Sequence, residues 1–208
     1  HNYYSDITRE LTYWLCLALC RTQKEERFYE EVKALDGADY WFLKGFFQRI
    51  ATKYNSAENF LKKALEISPS MQRAKRELVT ALLAQHRYPE ALSLAKENYE
   101  RDSDNTYHMH AYFRCLVKKV NINREDIATL KELLDKMENS YSDKKEELHM
   151  AMNIEFQANI KRKSPDEMLD LIRNAEKNFP SSVNIQRAAH EYKLKQAIVS
   201  KEVVFPED

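Results

Sequence analysis

The chain has 208 residues, of which 43% are hydrophobic and 32% charged, and its 33 Lys and Arg balance 33 Asp and Glu for a formal net charge of zero. That hydrophobic share excludes wholesale disorder, and the charge balance argues against a general nucleic-acid binder, which carries a basic excess. Only 2 Gly and 5 Pro occur, too few for hairpins, β-turns and phosphate-cradling loops, while good helix formers dominate and predict an all-α fold.

The first predicted helix covers 5–20. Its apolar stretch from Trp14 to Leu19 is too short to span a bilayer, and no signal peptide is evident in the sequence. Cys16 and Cys20 lie one turn apart on this helix among Trp14, Leu15, Leu17 and Leu19, and are expected to pack as core with them. A second helix over 24–35 ends at Asp36-Gly37, with Gly37 suited to a left-handed position after a helix end. Helices then follow at 38–52, 56–67, 71–86, 89–101, 105–119, 124–138, 142–162, 165–178 and 182–200. Their connections are short, as between antiparallel partners. Asn55-Ser56-Ala57-Glu58 reads as a reciprocal cap, and Ser164-Pro165-Asp166-Glu167 as a stronger one. Lys161-Arg162-Lys163 falls at a helix C-terminus, where cations suit the dipole.

Within 38–71, Trp41, Gly45, Ala57, Leu61, Ala64 and Pro69 stand in a fixed register. That register resembles the tetratricopeptide repeat, a helical hairpin of about 34 residues. Lys44 and Gln48 replace its usual Leu and Tyr. Stepping on, 72–105 fits through Leu78, Leu82, Tyr88 and Ala91; 106–148 is a stretched repeat; and 149–182 returns to register at Ile172, Ala175 and Pro180. A degenerate hairpin at 5–37 and a capping helix at 183–200 complete one domain over 1–208. The resemblance implies a right-handed superhelix, an α-solenoid of antiparallel hairpins, with Gly45 and Ala57 meeting where two helices cross closely.

No chemistry-bearing motif is complete. Two glycines cannot build a phosphate or dinucleotide loop. Glu146-x-x-His149 is half of a di-iron motif without its partners, and Cys16, Cys20 and Cys115 lack zinc-ligand spacing. His108 and His110 face different sides of their helix. The chain is therefore expected to be no enzyme and to hold no cofactor or metal. Its odd cysteine count points to a reducing, cytoplasmic setting.

By the resemblance, the first helices of successive repeats line a concave groove that takes a peptide or protein segment. Projecting the register gives the lining Asp39, Phe42, Phe46, Arg49, Arg73, Arg76, Thr80, Tyr107, His110 and Arg114. Phe42 and Phe46 either pack against the preceding hairpin or form an apolar shelf. The arginines favour a partner bearing carboxylates beside apolar anchors. The chaperone-tail specialisation of the family is excluded, because its key inner places hold Thr8, Thr12, Leu43 and Glu77, with Arg73 alone basic. The chain begins His1-Asn2 and is expected to be part of a longer protein. The alternative reading is the sensor or scaffold domain of a larger bacterial signalling or defence protein. A helical repeat reading RNA is weaker, lacking a basic excess and a regular code.

Overall fold

The structure, a computed structural model, describes residues 2–138 and 143–202. All regular structure among them is helical. The chain divides into two compact units, His1–Asp102 and Ser103–Asp208.

In the first unit, α1 (Asn2–Arg21) pairs with α2 (Glu25–Glu31), which tightens into a 3₁₀ turn at Val32–Ala34; α3 (Gly37–Ile50) pairs with α4 (Tyr54–Ile67), and α5 (Gln72–Ala84) with α6 (Tyr88–Arg101). Leu43, Ala57, Leu61 and Ala64 are fully buried in the α3–α4 seam and its neighbours. Gly45 makes the close approach expected of it, but onto Leu61: a Cβ there would lie 2.7 Å from Leu61 Cγ and 3.1 Å from its backbone nitrogen. Ala57 packs with no exposed surface in the same seam. α1 also packs on α3, and α3 on α5, so the first helices of successive hairpins are neighbours.

In this unit each first helix ends in the same way without glycine. Gln23, Thr52 and His86 adopt left-handed φ of 53°, 59° and 59°. The amides that follow them, of Lys24, Lys53 and Arg87, donate to Leu19, Gln48 and Leu82 at 3.0, 2.8 and 3.0 Å. This is the six-to-one closure of a left-handed helix cap, and it explains how a chain so poor in glycine turns so tightly. Gly37 is left-handed as expected, at φ 58°.

Two local expectations need correction. Asn55 caps nothing: α4 already starts at Tyr54, with Lys53 before it and no side-chain cap, because the left-handed turn at Thr52 delivers the chain into the helix earlier. Trp14 is not core. Tyr13, Cys16 and Cys20 form the buried stripe of α1, whereas Trp14, about 100° further round the helix, is 59% exposed.

The second unit contains α7 (Thr106–Val117), α8 (Arg124–Glu138), α9 (Asp143–Phe156), α10 (Pro165–Asn178) and α11 (Val183–Glu202). The segment 106–148, expected as a stretched repeat, contains the connection 118–123 between α7 and α8. There Asn123 and Asp126 cap each other reciprocally at 2.9 and 2.8 Å, and Lys119 holds Asp126 at 2.7 Å. Residues 139–142 of that segment lie outside the described residues. α9 widens into a π turn at Gln157–Lys161 and ends on left-handed Arg162. Ser164 and Glu167 form the expected capping box. The core joins Ile154, Met168, Ile172, Ile185 and Tyr192 across α9, α10 and α11.

Candidate functional site

In the first unit α1 and α3 present one row of aromatic rings, and α5 packs beside α3. Tyr13, Phe42 and Phe46 stack in sequence, with centroids 6.5 and 5.9 Å apart. Two guanidinium groups lie on this stack. Arg73 Cζ sits 4.6 Å from the Tyr13 centroid and 5.2 Å from that of Phe42, and Arg49 Cζ sits 5.0 Å from that of Phe46. Each is held by a carboxylate: Arg73 donates to Asp39, and Arg49 pairs with Glu77. Asp39 and Arg73 stand 34 residues apart, the repeat length, so equivalent positions of successive hairpins face each other. Arg9 on α1 joins them, 3.5 Å from Asp39 and 3.1 Å from Asp36.

Phe42 and Phe46 are thus buried beneath their arginines rather than open as a shelf. The open part of the face is a cleft of about 290 Å³ lined by Asp6, Arg9, Glu10, Tyr13, Trp14, Asp39 and Arg73. Trp14 forms an apolar wall there, edge-on to Tyr13 at 5.8 Å. Burial pushes the Tyr13 hydroxyl up to about 12, against the lowering effect of Arg73; it stays protonated as a hydrogen-bonding group.

Of the projected lining, the structure brings together Asp39, Phe42, Phe46, Arg49 and Arg73, with Arg76 and Thr80 further along the same α5. Thr80 donates to the Arg76 carbonyl at 3.1 Å. Tyr107, His110 and Arg114 lie on α7 of the second unit. There Tyr107 is exposed, His110 is buried, and Arg114 lies 3.7 Å from Glu155. Residue reasoning missed Arg9, Tyr13 and Trp14, since 5–37 carries little of the repeat pattern.

The three thiols pack as core: burial pushes Cys16 up to about 11 and Cys20 and Cys115 up to about 12. Among the described residues, no three His, Cys, Asp or Glu side chains converge in a way that could hold a metal ion, and no helix is long and apolar enough to cross a membrane.

Residues 49–119 match the family model of the tetratricopeptide repeat. The chain carries a tetratricopeptide-like helical repeat. Its matched segment runs from the end of α3 through α7. No curated protein sequence matches the chain. Among solved structures it is similar to YrrB, described as a TPR protein with an unusual peptide-binding site; the likeness covers 85% of this chain and 89% of that one, with a TM-score of 0.52 and 16% identity. That is a likeness of fold, an all-α solenoid of tetratricopeptide-like hairpins. Repeats of this type make protein-interaction modules.

Proposed function

We propose that the chain is a non-catalytic, cytoplasmic interaction module that binds a peptide segment of a partner protein across α1, α3 and α5. The observation that carries this reading is the cleft beside Trp14. A large, exposed aromatic wall stands next to charged groups already fixed by ion pairs and ring stacking. Such a site binds without having to order its own side chains, a cost that otherwise weakens peptide affinity. Aromatic and arginine groups are also those on which binding energy concentrates. Three carboxylates and two guanidinium groups line the cleft, so the contact it favours is an apolar side chain packed on Trp14 and Tyr13, with polar groups of the peptide at the rim. The description of YrrB as peptide-binding supports the same reading for a shared fold.

Peptides selected by phage display on the intact chain provide the test. They should shift the Trp14 emission to the blue as they bind, and lose about tenfold in affinity on Trp14→Ala or Arg73→Ala. Undiminished affinity in both variants, with the helical circular dichroism spectrum unchanged, would place the binding surface elsewhere.

A further inference from the structure

Helix α1 carries an apolar stripe that its own hairpin leaves uncovered. Ile7, Leu11 and Trp14 follow one another at helical spacing and keep 39%, 65% and 59% of their surface. The same register positions one repeat on are Trp41, Gly45 and Gln48, and each of these meets a second helix. Trp41 stacks on Phe60 and Gly45 approaches Leu61, both on α4, while Gln48 donates to Tyr29 on α2. Helix length makes the difference: α4 has 14 residues, whereas α2 has 7 before it tightens into its 3₁₀ turn. Among the described residues, no helix covers Ile7 and Leu11 as α4 covers their counterparts, and none takes beside Trp14 the place that α2 takes beside Gln48.

A second stripe stands at the C-terminal end of α11. From Lys193 to Ile198 every residue of that helix is exposed, and Leu194 and Ile198, one turn apart, keep 52% and 50% of their surface. Lys193 lies 3.7 Å from Glu176 on α10, and Lys195 donates to Asn159 in the π turn. These two side chains tie the flanks of the segment back, while its apolar edge stays in water. The two stripes are opposite in charge. Asp6 and Glu10, a like-charged pair one turn apart that is unfavourable unless countered, flank Ile7 and Leu11. Arg9 turns away from them to Asp36 and Asp39. Lys193 and Lys195 flank Leu194.

We propose that the C-terminal part of α11 of one copy docks on the Ile7–Leu11–Trp14 stripe of a second copy, antiparallel to α1, in the place that a longer second helix would fill. Leu194 and Ile198 then pack on Leu11 and Trp14, and Lys193 and Lys195 face Asp6 and Glu10. The antiparallel course also sets the negative C-terminal end of α11 beside the positive N-terminal end of α1. Every copy carries both stripes, so two copies exchange the contact reciprocally or successive copies repeat it. The contact is small, and interfaces below roughly 1,200 Å² are weak and transient, so the association is reversible and lost on dilution. This pairing rests on the reading of the Trp14 face as a binding surface, and it names the segment that fills that face.

Analytical ultracentrifugation of the full chain over a wide range of concentration provides the test. The natural chain should associate reversibly, while Leu11→Ala/Trp14→Ala and Leu194→Ser/Ile198→Ser, each with an unchanged helical circular dichroism spectrum, should stay monomeric. Mixed in equal amounts, the two variants should form a dimer of one copy of each and nothing larger, because one intact α1 stripe then meets one intact α11 stripe. Reversing charge in Asp6→Lys/Glu10→Lys should weaken association of the natural chain about tenfold. A natural chain that stays monomeric throughout overturns the proposal, as does a mixture that does not associate or a charge reversal without effect. Self-association of the α11 variant alone overturns it in favour of α1 pairing with α1, and self-association of the α1 variant alone in favour of α11 pairing with α11. Selected peptides that bind at Trp14 of a chain that never associates defeat this inference alone. A Trp14 face that takes neither peptides nor a second copy defeats the peptide-binding reading as well.

Discussion

An alanine at position 45 would bring its methyl group within 2.9 Å of both Cγ and Cδ2 of Leu61. Leu61 is fully buried. Gly45→Ala gains about 1 kcal/mol in helix propensity, but overpacking a tight seam costs about 1–3 kcal/mol. Here the backbone nitrogen of Leu61 at 3.1 Å limits relaxation, so a net loss of about 1–2 kcal/mol is expected. Urea unfolding measures it, and an unchanged midpoint would show that α3 and α4 do not approach so closely. The left-handed residues respond in the opposite direction. Thr52 is β-branched at φ 59°, where a Cβ crowds the carbonyl that follows. Thr52→Gly should raise stability by about 1 kcal/mol, which thermal melting reads directly; no gain would remove the strain assigned to that turn. The two departures from the family pattern also find partners. Lys44 lies within 5.3 Å of the ring centroids of Tyr40, Trp41 and Phe60, and Gln48 donates to the Tyr29 hydroxyl at 2.7 Å. Each keeps a polar group satisfied where the usual repeat packs Leu or Tyr.

Between elements, the connection from α4 to the α5–α6 turn runs through one buried carboxylate. Glu58 accepts from Gln85 at 3.1 Å and from Arg87 at 2.5 Å, and pairs with Lys62 at 2.6 Å, while Arg87 also grips Glu90 with both ends of its fork. Burial alone would raise the Glu58 pKa, but the hydrogen bonds from Lys62, Gln85 and Arg87 outweigh it and hold the carboxyl below its ordinary value. A carboxyl depressed on folding contributes stability that is fully present above the unfolded value of about 4.3 and is lost as pH falls through the folded value. Glu58→Gln should therefore destabilise by about 1–3 kcal/mol at neutral pH, and the gap should close on acidification below the ordinary Glu range. Denaturant midpoints of both proteins across that range check it; a gap independent of pH would mean that the ion pairs contribute nothing. This tie was only half legible. Glu58 signals a cap beside Asn55, and nothing local shows that its carboxylate points instead to a turn 27 residues on. The helices themselves were legible to within a few residues, because apolar spacing alone marks them in a chain with so few glycines. The Ser164 cap was legible because Ser, Pro and Glu act within one turn. The pairing of Asp39 with Arg73 follows from the repeat length, whereas the role of Trp14 does not, since α1 carries apolar residues on more than one face and only packing decides which is buried.

At the largest scale, hairpins stack on their neighbours within each unit, and stability is close to a sum of hairpin and nearest-neighbour contributions. Local openings should then differ along the chain rather than report one global event. The α3–α4 seam combines Leu43, Phe47, Ala57, Leu61 and Ala64, all nearly or wholly buried, and so should contain the most slowly exchanging amides of the first unit. In the second unit, slow exchange should centre on α9, where Leu148, Met152 and Ile154 have no exposed surface. By contrast, α2 is a short helix, and the end of α11 exposes Leu194 and Ile198; both should exchange quickly. The discriminating measurement compares hydrogen exchange of the natural chain and Gly45→Ala. Loss of packing between α3 and α4 raises the free energy of their folded state and of the α5 contacts that depend on it, but leaves the seams of α10 and α11 untouched. Protection should therefore fall in α3, α4 and α5 and remain unchanged in α10 and α11. An equal fall in all five helices would show that the chain opens as a single cooperative body, and neighbour-by-neighbour stability would have to be abandoned.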